Sequence, residues 1–230
     1  MFDEFVLAAS TADLSEEPAA REDADAVEFR MDLADDPLEA LDEYDGELPV
    51  IATNRASWEG GEAAELNRLD DLAAAAALDA VRAVDVELAA LDGTAPEGEQ
   101  AHARALRETA REEGADVIAS VHDFASTPPA DALVDLLAAA AAEGDVAKLA
   151  TTAEVRADAL AMLEATHRAV EAGHTVATVC MGEPGRHTRA VAPVYGSRIG
   201  YAPVDPAEAT APGQYPLAEL RELVDGLVGE

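Results

Sequence analysis

Short apolar runs alternate along the whole chain with longer stretches of helical period. The apolar runs predict strands at Phe5–Ser10, Ala26–Asp32, Leu48–Arg55, Ala83–Leu88, Asp116–Asp123, Asp145–Thr151, Thr175–Met181 and Arg198–Val204, since brief β-branched runs bounded by polar turns suit buried strands. Their starts lie 21 to 35 residues apart, about the span of a strand plus a crossover helix. The helical stretches carry end signals. Thr127-Pro128 predicts an N-cap and a first-turn proline for a helix over Pro129–Glu143, which Gly144 stops. Thr151-Thr152-Ala153-Glu154 has capping-box spacing ahead of a helix that Gly173 ends. The runs Ala73–Ala77 and Ala138–Ala142 read as helix faces packed on a sheet, whereas Thr11–Asp25 is weakly patterned.

Eight such units with no linker-like segment predict one domain, 1–230, folded as a single α/β (β/α)8 TIM barrel. A doubly wound open sheet is the alternative. No GxGxxG or GxxxxGK[ST] follows any predicted strand, which removes the usual nucleotide-binding reasons to prefer that alternative.

Charge narrows the partners. Of 230 residues, 48 are acidic and 15 basic, a net charge of −33. Such a balance repels nucleic acid and anionic membranes. With 49% hydrophobic residues in regular blocks the chain is not composed like a disordered one. An acidic, alanine-rich, lysine-poor chain resembles proteins adapted to molar salt, where a Debye length of about 3 Å screens self-repulsion. Cys180 is the only cysteine, so neither an intrachain disulfide nor a cysteine-based zinc site is expected. The N-terminus is acidic where a signal peptide is basic, and no apolar run reaches membrane-span length. The expectation is a soluble, cytoplasmic protein without a metal or cofactor.

Chemistry enters through what is rare. Fourteen arginines accompany a single lysine, Lys148, flanked by Val146–Ala147 and Leu149–Ala150. Strand alternation puts Val146, Lys148 and Ala150 on one face, which in a closed barrel is a candidate for the interior. Burial strips the amine of hydration and favours its neutral, nucleophilic form, which attacks a ketone to give a Schiff base. A lysine snorkelling to water is the competing reading. His122 lies near the C-terminal end of the preceding strand, where barrel active sites form, and is the best general acid/base. His102, His167, His174 and His187 fall in or beside helices and read as solvent-facing. Glu28 and Arg30 share a strand face at i and i+2, either a grip on a polyhydroxy substrate or a structural ion pair. Arg55 ends the third strand and Glu59 follows in a glycine-rich loop, where spacing alone does not decide their use. The loops after the last two strands carry Arg186 and Arg189, which suits an anionic substrate group.

Seven motifs then occur in order: EFR at 28–30, RxxxE at 55–59, SVHDFxxTP at 120–128, AKLA at 147–150, MGxxGxxxR at 181–189, YGS at 195–197 and APGQ at 211–214. Together they resemble type I 3-dehydroquinate dehydratase over roughly residues 5 to 227. The resemblance implies a TIM barrel that converts 3-dehydroquinate to 3-dehydroshikimate in the shikimate pathway of aromatic amino acid biosynthesis. It implies Lys148 as the imine-forming lysine, His122 as general acid/base and Glu59 as the carboxylate that orients the histidine. Glu28, Arg30, Arg55 and Ser10 match residues around the substrate hydroxyls. Arg189 and Gln214 match the carboxylate side, with Gln214 on a closing loop where Thr210 replaces the usual serine. Relatives imply a homodimer. A class I aldolase barrel is the alternative enzyme, and a catalytically silent salt-adapted scaffold the alternative of another class.

Overall fold

The computed structural model describes residues 1–63, 67–96, 98–205, 207 and 213–229. Eight strands form its centre: β1 Val6–Thr11, β2 Ala26–Arg30, β3 Val50–Thr53, β4 Val81–Glu87, β5 Asp116–Asp123, β6 Val146–Thr152, β7 Val176–Met181 and β8 Ile199–Pro203. They pair in parallel in the order β7-β6-β5-β4-β3-β2-β1-β8. A parallel bridge between Val176 and Ser197, with Arg198 N–H donating to the Val176 carbonyl at 2.7 Å, brings β8 back to β7 and closes the barrel. Around it run α1 Glu17–Ala20, α2 Pro37–Asp42, α3 Arg68–Ala76, α4 Leu88–Asp92, α5 Gln100–Glu113, α6 Ala130–Glu143, α7 Arg156–Glu171, α8 Thr188–Val191 and α9 Leu217–Val228. The fold is a (β/α)8 barrel, as expected. Among the described residues no helix is long and apolar enough to cross a membrane.

The alternation that predicts strands also divides the core. Outward residues such as Val27, Phe29, Val84, Val86, Val117 and Leu149 pack against the helices; α6 contributes Leu133, Leu137 and Ala140, one stripe at helical spacing. Inward residues behave differently along the barrel axis. At the N-terminal end Val6, Ala8, Ala26, Ile51, Ala83, Ile118, Val146, Ala177 and Ile199 form an apolar floor plugged by Phe2. The next inward positions, Ser10, Glu28, Thr53, Asp85, Ser120 and Lys148, are polar and buried. Buried charges persist only when paired, so this band is where a site is expected.

Local end signals differ from the predicted ones. Thr127 caps no helix: α6 begins at Ala130 after Pro129, and the Thr127 hydroxyl instead meets Thr151 Oγ1 at 2.8 Å and donates to the Thr152 carbonyl at 2.9 Å. Thr151 and Thr152 lie inside β6 rather than in a capping box. The N-terminus of α7 is closed by Asp158, whose carboxylate accepts from the backbone N–H groups of Glu154 and Val155 at 2.8 and 3.0 Å. β6 runs to Thr152, one residue past its predicted end, because Thr152 still pairs with Met181 of β7. Strand β2 stops at Arg30, two residues short, where the chain turns into a 3-10 segment over Met31–Leu33.

Candidate active site

Lys148 is the third residue of β6 and only 6% exposed. Its Nζ lies 2.7 Å from Asp85 Oδ2, 3.6 Å from Glu28 Oε1 and 4.1 Å from the centre of the Tyr201 ring. These partners come from β4, β2 and β8, so β2, β4, β6 and β8 each supply one side chain to a common layer. Barrel interiors normally stack bulky apolar residues from alternate strands in this way; here the layer holds two carboxylates, an ammonium and a phenol. The lysine neither snorkels nor sits in a bare apolar tube. Two anions balance the charge that burial alone would disfavour.

Each anion is tied from behind. Ser10 Oγ donates to Glu28 at 2.6 Å and Thr53 Oγ1 donates to it at 3.2 Å. Arg55 Nη2 pairs with Asp85 at 2.7 Å, while its Nη1 donates to Ser120 Oγ at 2.7 Å and to Glu87 at 3.2 Å. Glu87 in turn meets Arg68 at 2.9 Å, and Arg68 meets Glu99 at 2.6 Å. The result is a buried ladder of alternating sign, Glu99–Arg68–Glu87–Arg55–Asp85–Lys148. Burial alone would raise the Asp85 pKa, but the charges of Arg55 and Lys148 hold the carboxyl well below the usual range. Burial would likewise lower that of Arg55; Asp85, Glu87 and Glu59 raise it instead.

His122 is the penultimate residue of β5. Its backbone N–H donates to Glu59 Oε1 at 3.0 Å, and its Nδ1 lies 3.7 Å from Glu59 Oε2. Burial, with Arg55 and Lys148 nearby, pushes the imidazole pKa well below 6.5, leaving a neutral ring that can accept a proton. Burial raises the Glu59 carboxyl to about 7, against the pull of Arg55. The Phe124 ring stacks against the imidazole with centroids 6.2 Å apart.

Glu28, Arg55, Glu59, His122, Lys148 and Tyr201 line one cleft at the C-terminal end of the barrel, together with Arg30, Thr53, Met181, Arg189 and Gln214. Arg189 is buried, and desolvation lowers its pKa to about 10. Of the residues expected from the sequence, Glu28, Arg30, Arg55, Glu59, His122, Lys148, Arg189 and Gln214 all face this space. Ser10 does not line it; its hydroxyl is turned onto Glu28. Thr210 lies outside the described residues. The expected Glu28–Arg30 pair is not formed: Arg30 bonds Asp32 at 2.6 and 2.8 Å, because the 3-10 turn after β2 swings Asp32 back toward it. Asp85, Glu87 and Tyr201 were not singled out by the sequence, although Asp85 and Glu87 show the same i, i+2 alternation at a strand end that marks Glu28 and Arg30. Among the described residues no group of three or more His, Cys, Asp or Glu side chains is arranged to hold a metal ion.

The chain matches the family model for type I 3-dehydroquinase over residues 6–227. It is 58% identical over 227 residues to a 3-dehydroquinate dehydratase of Haloarcula marismortui, covering 98% of this chain and 97% of that one. It is 54% identical to the enzyme of the same name from Halobacterium salinarum, covering 98% and 99%. Among solved structures, the 3-dehydroquinate dehydratase of Geobacillus kaustophilus superposes with a TM-score of 0.82 at 26% identity, covering 98% of this chain and 91% of that one.

Proposed function

The chain belongs to the type I 3-dehydroquinase family, and from that premise we propose that it dehydrates 3-dehydroquinate to 3-dehydroshikimate through an imine on Lys148. The enzyme is a hydro-lyase, and family membership displaces the aldolase and scaffold alternatives.

In the proposed sequence, the Lys148 ammonium first gives up a proton to solvent; the free Nζ amine then attacks the C3 carbonyl, and the carbinolamine loses water to leave a protonated imine. Asp85 and Glu28 stabilise that cation as they do the ammonium. His122 removes a proton from C2, and the imine draws the electron pair into an enamine. The enamine expels the C1 hydroxyl, which takes its proton from His122 and departs as water. Hydrolysis of the conjugated imine returns the amine and releases the product. No oxidant or reductant is consumed. Glu59 holds His122 by its backbone N–H and faces its Nδ1. Arg189 grips the substrate carboxylate, with Gln214 beside it, and Arg30 and Arg55 face the hydroxyls. Thr210, on the closing loop with Gln214, is a further substrate contact on the resemblance alone, and a homodimer rests on the same ground; a cytoplasmic location is part of the same proposal.

The observation that carries this reading is the buried Lys148 amine sharing one cavity with a neutral imidazole and a buried arginine. Its test is borohydride trapping: incubation with 3-dehydroquinate in concentrated KCl, reduction, and peptide mapping. A mass adduct on Lys148, absent from Lys148→Ala, is expected. A folded protein that gives neither adduct nor conjugated product would sink the proposal.

A further inference from the structure

Two loops supply the arginine–glutamine wall of the cavity, and one contact between them is unaccounted for by the reaction. The loop after β7 is pinned internally. Thr188 is fully buried, its hydroxyl donates to the Gly185 carbonyl at 2.8 Å, and it accepts from the Cys180 backbone N–H at 2.9 Å. Arg186 projects from this pinned turn, three residues before Arg189. Its guanidinium carbon lies 3.8 Å from the centre of the Tyr215 ring. Tyr215 is half-buried, packs against the cluster that includes Leu217 and Leu220, and directly follows Gln214. On the other side of Gln214 the backbones touch. A Cβ placed on Gly213 would meet the Gly182 carbonyl oxygen at 3.1 Å, and Gly213 has a φ of +79°, which disfavours any side chain there. Gln214 is thus bracketed by a glycine–glycine approach before it and an arginine–tyrosine stack after it.

We infer that Arg186 and Tyr215 are a positioning pair, whose stack holds Gln214 against the loop carrying Arg189 and so sets the carboxylate-binding wall. The inference rests on the proposed role of Arg189 and Gln214 but not on the imine chemistry. At 3.8 Å from the ring centre the Arg186 guanidinium carbon is in contact with the phenol face, with no space for water between them. That suits a chain of net charge −33: salt that shortens the Debye length to about 3 Å weakens exposed ion pairs far more than a contact with no room for an ion. The pair touches none of the reacting residues, so it acts on substrate affinity rather than on the chemical step.

The test compares Arg186→Leu, Tyr215→Leu, Tyr215→Phe and the Arg186→Leu/Tyr215→Leu double variant in molar KCl. One readout is hydrogen exchange of the peptide spanning 213–217 without substrate; the other is steady-state dehydration. Each leucine variant is expected to speed exchange by about 2- to 30-fold, the range of a cation–π contact from exposed to desolvated, and to raise KM by a similar factor with kcat within about twofold. Tyr215→Phe keeps the ring and should match the parent, and the double variant should match either single one. Unchanged exchange in Arg186→Leu would overturn the inference, as would Tyr215→Phe behaving like Tyr215→Leu, or single effects that add in the double variant. Faster exchange with an unchanged KM would overturn it too, since the stack would then brace only the surface. If the parent protein turns nothing over, the function proposed above fails, and the exchange readout still decides whether the pair holds the segment.

Discussion

Replacing Glu59 by glutamine removes one titration from the site with little change in shape. The carboxyl is 8% exposed and its pKa is raised from 4.5 to about 7, chiefly by burial. Between those two values the folded protein still holds a proton that the unfolded chain has released. Stability therefore falls as pH rises through this window, and is level below about 4.5 and above about 7. At about 1.4 kcal/mol per pH unit the loss accumulates to about 3 kcal/mol. His122 works in the opposite sense: its depressed folded pKa costs stability as pH drops below 6.5. Both proteins keep His122, so its titration in the unfolded chain is common to both. Urea unfolding at fixed molar KCl, from pH 4 to 8, should show the Glu59→Gln variant gaining about 3 kcal/mol on the parent across the window. Parallel curves would refute the raised carboxyl, and a parent that gained on the variant with rising pH would reverse its sign.

Further expectations follow from the charged ladder and its neighbours. Asp85→Asn leaves Lys148 with Glu28 alone at 3.6 Å; urea unfolding should show a loss of about 3–5 kcal/mol, and borohydride-trapped adduct should form more slowly. Arg68→Met leaves Glu99 without its ion-pair partner and Glu87 with Arg55 alone, so a similar loss of about 3–5 kcal/mol is expected by the same measurement. Gly61→Ala would put a methyl 2.0 Å from the Arg55 carbonyl oxygen. The forced shift of Arg55 and Glu59 should lower kcat/KM by about a hundredfold, read in the dehydration assay.

Much of the barrel is legible in the chain because strand alternation is local. Each apolar run states its own inward and outward faces, and the inward set of β6 includes the one lysine in the protein. Lys148 stands out because lysine is used nowhere else, and His122 because it ends the neighbouring strand. Carboxylates carry no such contrast in a chain with 48 of them, so Asp85 and Glu87 look like ordinary acidic residues until β4 takes its place in the closed sheet. Arg30 shows a second limit. Its sequence neighbour on the strand face is Glu28, yet it pairs with Asp32, since where β2 stops depends on the turn that follows. Thr127 is a helix cap by its spacing and a partner of Thr151 in the fold. Alternation and spacing act over a few residues and decide which side chains point inward. Barrel closure acts over the whole chain, and it alone brings Glu28, Asp85, Lys148 and Tyr201, from four non-adjacent strands, into one layer.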